Sequence, residues 1–421
     1  MKINPLKVVK DLFPIHRSIT GPGIKLSLKY LENLIPEFKR LKFKSGKKVF
    51  DWVVPNEWII NNAYILDSKN QKHADFKKNN LHILGYSIPI NKLINKSKLF
   101  KKIYTIKKIP NAIPYVTSYY KKDWGFCMSE IQKKKLQGNK FKVCIESEFK
   151  KGNLELTHAL FKGKSKKEIF FSSYLCHPSM ANNELSGPAV LINLAQYVKN
   201  LKNRKYSYRF VVLPETIGSI CYINKFKTQL KNNIICGFNL SCVGDNNSYS
   251  HIQSKNQNTL ADQALSSALI GKKNFKTYSF LERGSDERQY CSPLVNLPLC
   301  GFSRSKYHEF KEYHTDKDNL NFISKEGLEN SIDVMKSIID SFESSLFPKS
   351  NFFCEPMMSK RNMYPTTSMN NGYTSDVLLR RDVIAYSDGK TDIFTISKIL
   401  NKPLKKVVSE VKILKQNKIL K

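Results

Sequence analysis

The chain has 421 residues, with 70 Lys and Arg against 35 Asp and Glu, a formal net charge of +35 at pH 7. With 41% hydrophobic and 11% aromatic residues it is neither a disordered tail nor a collagen-like fibre, and its length predicts two or three domains of roughly 100–200 residues. No run reaches the roughly 18 apolar residues that span a bilayer, and the charged start lacks the apolar stretch of a signal peptide, so a soluble, cytoplasmic protein is expected.

Near the start, Thr20-Gly21-Pro22-Gly23 signals a turn, and the spacing of apolar residues over 24–31 predicts an amphipathic helix. Residues 49–152 change texture to short β-branched and aromatic runs broken by Pro and Asn, which predicts a β-rich insertion of antiparallel strands. From 153 strand-like and helix-like segments alternate: strands near 168–175, 208–213 and 234–240, helices over 187–198 and from 217 onward. The expected fold class is α/β, with a mainly parallel central sheet formed by 1–48 and 153–347 and closed by a helix over 325–344. Residues 348–373 read as a linker. The tail, 374–421, offers three short helices and a hairpin-like end, the pattern of a winged-helix domain.

The lysines are spread along the whole chain, not gathered in one stripe. This favours a solvated lysine surface, with an acidic partner or substrate as the other reading of so large a positive field. In the tail, Lys398, Lys402, Lys405, Lys406, Lys412 and Lys415 would suit phosphate contacts, but lysine is frequent everywhere. Packing or oligomerisation is the favoured role of the tail, and nucleic acid is not an expected partner. The nine cysteines stand singly without a CxxC pair, which fits buried free thiols better than disulfides or a cysteine zinc site.

In parallel α/β sheets, ligands and catalytic groups gather at the carboxyl ends of strands. Five loops at such positions hold His, Asp, Glu or Asn: 176–187, 213–219, 240–245, 282–288 and 313–319. One histidine in one loop means little. Five such loops in register point to a metal or former metal site, because zinc collects imidazole and carboxylate ligands in this way.

The chain resembles the bacterial aminopeptidase-like proteins found with polysaccharide-biosynthesis genes, whose central domain is similar to co-catalytic zinc aminopeptidases and glutaminyl cyclases. The resemblance lies in His-Arg-Ser-Ile-Thr-Gly at 16–21, Phe-Asp-Trp-Val-Val-Pro-Asn-Glu-Trp at 50–58, and residues 81–87, 113–120, 177–187, 214–219, 285–293 and 313–324. It covers nearly the whole chain, insertion and winged-helix tail included.

The resemblance implies that His177 is the first zinc ligand and that His314, in His-Thr-x-x-Asp, is the last. Asn183 falls where the aminopeptidases place a bridging aspartate, and Ser241 where they place a further ligand aspartate. A neutral amide bridges two dications poorly, so one zinc ion is expected. Glu215 aligns as general base or as ligand, depending on the anchor chosen; the base role is preferred, since amide hydrolysis needs a carboxylate beside the attacking water. The charged stretch 282–288 is either a surface salt-bridge loop or part of the site. In the second case Asp286 orients a ligand histidine or binds a substrate amine, while Arg283 or Arg288 grips a carboxylate. Asp318 either caps a helix or holds the His314 imidazole in its tautomer. Cys176 is not expected to act, since adjacent residues on a strand face opposite sides.

Two functions follow. The first is a zinc-dependent, aminopeptidase-like hydrolase of a small amide or peptide-like compound, linked to surface polysaccharide, with the insertion as its lid. The alternative is a catalytically silent binding or scaffold protein that keeps the pocket for a glycan-related ligand. The expected partner is a small-molecule or peptide-like substrate, and a homo-oligomer is admissible.

Overall fold

A computed structural model describes residues 3–364 and 374–421; residues 365–373, the end of the expected linker, lie outside the described residues. The largest sheet has eight strands in the order Lys39–Lys44, Asn153–Phe161, Ser207–Leu213, Glu168–Tyr174, Ile234–Leu240, Leu299–Ser303, Tyr249–Ile252 and Phe275–Tyr278. The four central strands run parallel, and antiparallel pairings flank them on both sides. These strands are buried almost throughout, because helices or the inserted domain cover both faces.

Alternation along the strands sorts their side chains between two apolar clusters. Phe171, Phe210, Val212, Phe238 and Phe302 meet helices Pro5–Leu12, Ser186–Asn200, Leu260–Ala268 and Lys325–Ser344 on one face. Phe170, Val211, Leu213 and Leu299 meet helix Ile217–Asn233 on the other, and this cluster continues into Trp58, Ile65 and Val143 of the insertion. The insertion is built on an antiparallel sheet in the order Lys72–His73, Glu57–Leu66, Lys140–Lys150 and Ile90–Asn95.

The tail forms helices Ser375–Ala385, Ile393–Ile399 and Leu404–Gln416. Its apolar residues Phe394, Val407 and Val411 join the same cluster as Ile338 and Phe342 of helix Lys325–Ser344, so the tail is docked on the core. The expected terminal hairpin is absent: Lys349 pairs with Asp388 and Ser350 with Leu420. The few residues after Gln416 are too short for two strands and a turn, and the start of the expected linker supplies the missing partner. All nine cysteines are free, and all but Cys354 are buried. Among the described residues no helix is long and apolar enough to cross a membrane.

Candidate functional site

The parallel strands ending at Tyr174, Leu213 and Leu240 lead directly into the loops that carry His177, Glu215 and Ser241, and His314 arrives from the chain after Ser303. All four loops hold a non-glycine residue at positive φ: Ser179 (43°), Thr216 (65°), Cys242 (54°) and His314 (54°). Such backbone costs on the order of 1–3 kcal/mol per residue and collects at functional sites.

His177 and His314 converge, with ring centroids 5.3 Å apart and planes at 43°. The Tyr115 ring, brought by the insertion, touches both, at 4.9 Å from His177 and 5.2 Å from His314. Tyr115 is fixed there by its backbone N–H, which donates to the His314 carbonyl at 2.8 Å, and by pairing of Pro114 with Thr315. Burial, with the charge of His177 beside it, holds the His314 pKa well below its usual value. Among the described residues His314 Nε2 is buried without a hydrogen-bond partner, which leaves that nitrogen uncommitted. Burial acts to lower the His177 pKa too, but the hydrogen bond and charge of Glu184, with Glu215 behind them, outweigh it and raise the value.

After His177 the chain makes a wide π-type turn, Ala181–Leu185, leading into helix Ser186–Asn200; such turns recur at functional sites. Asp318 accepts the backbone N–H groups of Asn182 (2.6 Å) and Asn183 (2.8 Å) and so caps this turn. Its carboxylate oxygens are thereby committed to backbone, and burial pushes its pKa up to about 7. The Asn183 amide oxygen accepts from Tyr174 Oη at 3.0 Å, while Asn182 bonds Gly244 N and Asp245, tying in the next loop. Ser241 is buried, its hydroxyl 3.5 Å from that of Ser303.

Glu215 precedes a strained turn. Thr216 has φ 65° and ψ −77°, and the Ile217 N–H closes a three-residue ring onto the Glu215 carbonyl at 2.8 Å, a γ-turn of the rare strained hand. Asp286 Oδ1 accepts the Thr216 N–H at 2.8 Å and the Ser219 hydroxyl at 2.7 Å. Burial and the neighbouring Glu215 charge push the Asp286 carboxyl up to about 7. Arg288 Nη2 donates to Thr216 Oγ1 at 3.1 Å, beside Glu215. Arg283 is committed to its own loop, stacked 4.3 Å from the Phe280 ring and bonded to the Phe280 carbonyl. Strand Phe275–Tyr278 runs opposite to the parallel strands, so Asp286 reaches the site by climbing back along the sheet. Its bonds to Thr216 and Ser219 bring it to the carboxyl end of strand Ser207–Leu213.

Cys176 does not face away from its neighbour: its Sγ lies 3.5 Å from His177 Nδ1. The alternation argument fails because the strand ends at Tyr174. Burial pushes the Cys176 thiol well up, which keeps it protonated and poor as a nucleophile. Two residues escaped the sequence reading. Glu184 Oε2 lies 2.8 Å from His177 Nδ1, and Arg17 Nε lies 3.6 Å from Glu184 Oε1. The signal available was their position: both lie inside the quoted motifs, Arg17 beside His16 and Glu184 beside Asn183.

These residues fit a single cation. Two imidazoles on one tetrahedral zinc, with Zn–N near 2.0–2.1 Å, have centroids about 5.2 Å apart, close to the spacing here. His177 Nδ1 is engaged by a carboxylate, the arrangement that leaves Nε2 for a metal, and Glu215 adds a carboxylate at the same sheet end. Cys176, His177 and Glu184 also lie near enough to one another to be weighed as a metal group, but the Arg17 guanidinium at Glu184 already neutralises that carboxylate. A second such group, His251, Asp262 and Cys300, lies elsewhere; there Asp262 accepts from His251, Ser254 and Thr259, which commits its oxygens.

A family model described as a domain of unknown function (DUF4910) matches residues 6–345, and a winged helix-turn-helix model matches 347–421. A protein of Clostridium acetobutylicum named as a polysaccharide biosynthesis protein with aminopeptidase-like domain is 37% identical over 392 residues, covering 93% of this chain and 89% of its own. The crystal structure of a protein named as a peptidase from the same organism superposes with a TM-score of 0.89 at 35% identity, over 99% of this chain and 95% of that one. The zinc aminopeptidase BSAP of Bacillus subtilis superposes with a TM-score of 0.59 over 80% of this chain and 93% of its own. At 14% identity that likeness establishes the fold alone.

Proposed function

The chain belongs to the DUF4910 family, in company with the relative named for its aminopeptidase-like domain, and from that premise we propose that it is a zinc-dependent hydrolase of a small amide or peptide-like compound, serving surface polysaccharide biosynthesis. The observation that carries this reading is the 5.3 Å approach of His177 and His314, with a buried, uncommitted nitrogen on His314. His177 and His314 would hold one zinc ion, with the Asn183 amide oxygen as the weakest of the candidate donors. Zinc, when bound, supplies Lewis acidity to a carbonyl and to water.

The rest is done by the chain's own groups. Glu215 takes the proton of the attacking water and returns it to the leaving nitrogen. Asp286 holds the strained turn that presents Glu215. Arg288 pairs with a substrate carboxylate. Tyr115 packs against both imidazoles and limits the room for substrate. Free thiols throughout suit a reducing compartment, and cytoplasm is the proposed location.

Metal analysis of the purified protein is the test. About one zinc per chain is expected, with loss of metal and of amide hydrolysis in His177→Ala. If no zinc copurifies or binds, and His177→Ala behaves as wild type, the proposal fails. One observation favours a second reading: the polar atoms of Asn183 and Ser241, which the resemblance matches to carboxylate ligands of a two-metal centre, are engaged within the protein. A silent binding protein for a glycan-related ligand would be stabilised by that ligand regardless of chelator, without turnover.

A further inference from the structure

Arg17, Glu184 and His177 form a buried chain of contacts. The side chains of Arg17 and Glu184 are both 0% exposed. Arg17 reaches His177 in two ways: its Nε donates to the His177 carbonyl at 3.1 Å, and the same nitrogen faces Glu184 Oε1 at 3.6 Å. Its Nη1 is anchored on the carbonyls of Leu12 (2.6 Å) and Ile15 (3.0 Å) at the end of the first helix. Glu184 sits on the π-type turn capped by Asp318, so its backbone is fixed as well.

Burying an unpaired carboxylate is costly, and an adjacent guanidinium offsets that cost. A carboxylate beside Nδ1 selects one tautomer of a neutral imidazole, with hydrogen on Nδ1 and the lone pair on Nε2. We propose that Glu184 and Arg17 are a positioning pair: Glu184 Oε2 fixes His177 as the Nδ1–H tautomer, and the Arg17 guanidinium, 3.6 Å from the other carboxylate oxygen, balances the buried charge that orients the ring. The Arg17 contact to the His177 carbonyl fixes the main chain while Glu184 fixes the ring. The N-terminal segment thus shapes a site from which it is distant in sequence.

The proposal rests on the reading of His177 as a cation ligand, and the experiment separates the two. Long-range ¹H–¹⁵N correlation spectra of histidine-labelled, metal-free protein, at a pH high enough to keep the ring neutral, report the His177 tautomer. This needs no variant, so it cannot be lost to misfolding. The expected result is Nδ1–H in wild type and in Arg17→Lys, and a mixture in Glu184→Gln. Zinc titration against a chelating dye should show binding weakened about 10- to 100-fold in Glu184→Gln and largely kept in Arg17→Lys. An Nε2–H tautomer in wild type, or zinc bound as tightly by Glu184→Gln as by wild type, overturns the pair. Absence of zinc binding in a wild type that holds the Nδ1–H tautomer strikes down the metal reading and leaves the tautomer assignment standing.

Discussion

Asp286 accepts the backbone N–H of Thr216 at 2.8 Å, and so holds in place the strained residue that follows Glu215. A β-branched residue at φ 65° persists only where its surroundings over-determine it. Asp286→Ala removes the acceptor from Thr216 and Ser219 together. It should cost about 1–3 kcal/mol in urea unfolding and abolish hydrolysis, whereas Asp286→Asn, which keeps an acceptor oxygen, should retain most stability. An Asp286→Ala protein as stable as wild type would show that the turn needs no buttress.

The same carboxyl sets a pH dependence. Asp286 and Asp318 both have folded pKa values pushed up to about 7, against about 3.9 in the unfolded chain. Between those values the folded state binds more protons than the unfolded state. Their contribution to stability is therefore complete below about pH 4 and lost as pH rises through 7. Metal-free protein should melt at a higher temperature at pH 5 than at pH 8, and Asp286→Asn should flatten the slope. Thermal melts across that range check both.

Arg209 and Glu168 form a buried bidentate pair, at 2.5 and 3.0 Å, with side chains 2% and 3% exposed. Removing one partner strands a buried charge and should cost about 3–5 kcal/mol, while an apolar replacement of both should cost far less. Chemical denaturation of Arg209→Met, Glu168→Leu and the double variant measures the difference.

Gly187 opens the helix behind the π-type turn. A Cβ there would lie 2.1 Å from Ser173 Oγ and 2.6 Å from the Leu240 carbonyl oxygen. Gly187→Ala must push the helix off the sheet, at about 1–3 kcal/mol, and should shift the urea midpoint down. An unchanged midpoint would mean that the helix start is looser than its packing indicates.

Much of the core was legible because its strands are apolar runs and its helices carry stops. The helix expected over 325–344 forms at Lys325–Ser344, and the strand expected over 234–240 at Ile234–Leu240. His177 and His314 were legible as chemistry-bearing residues after strands. Glu184 was not, because a carboxylate seven residues from a histidine has no fixed relation to it in an extended chain; only the π-type turn folds it back onto Nδ1. Asp286 was expected to orient a ligand histidine or bind a substrate amine, although its bonds go to backbone and hydroxyl, since sequence cannot show which side a short helix turns inward. The tail's last strand partner lay outside the segment considered, where local patterning could not find it.

The bond from Tyr115 to the His314 carbonyl, with the Pro114–Thr315 pairing, ties a segment of the insertion to the chain that carries His314. Any hinge that swung the inserted sheet away from the core would drag His314 from His177. A lid motion of the insertion that carried Tyr115 along would therefore also disturb the approach of the two imidazoles.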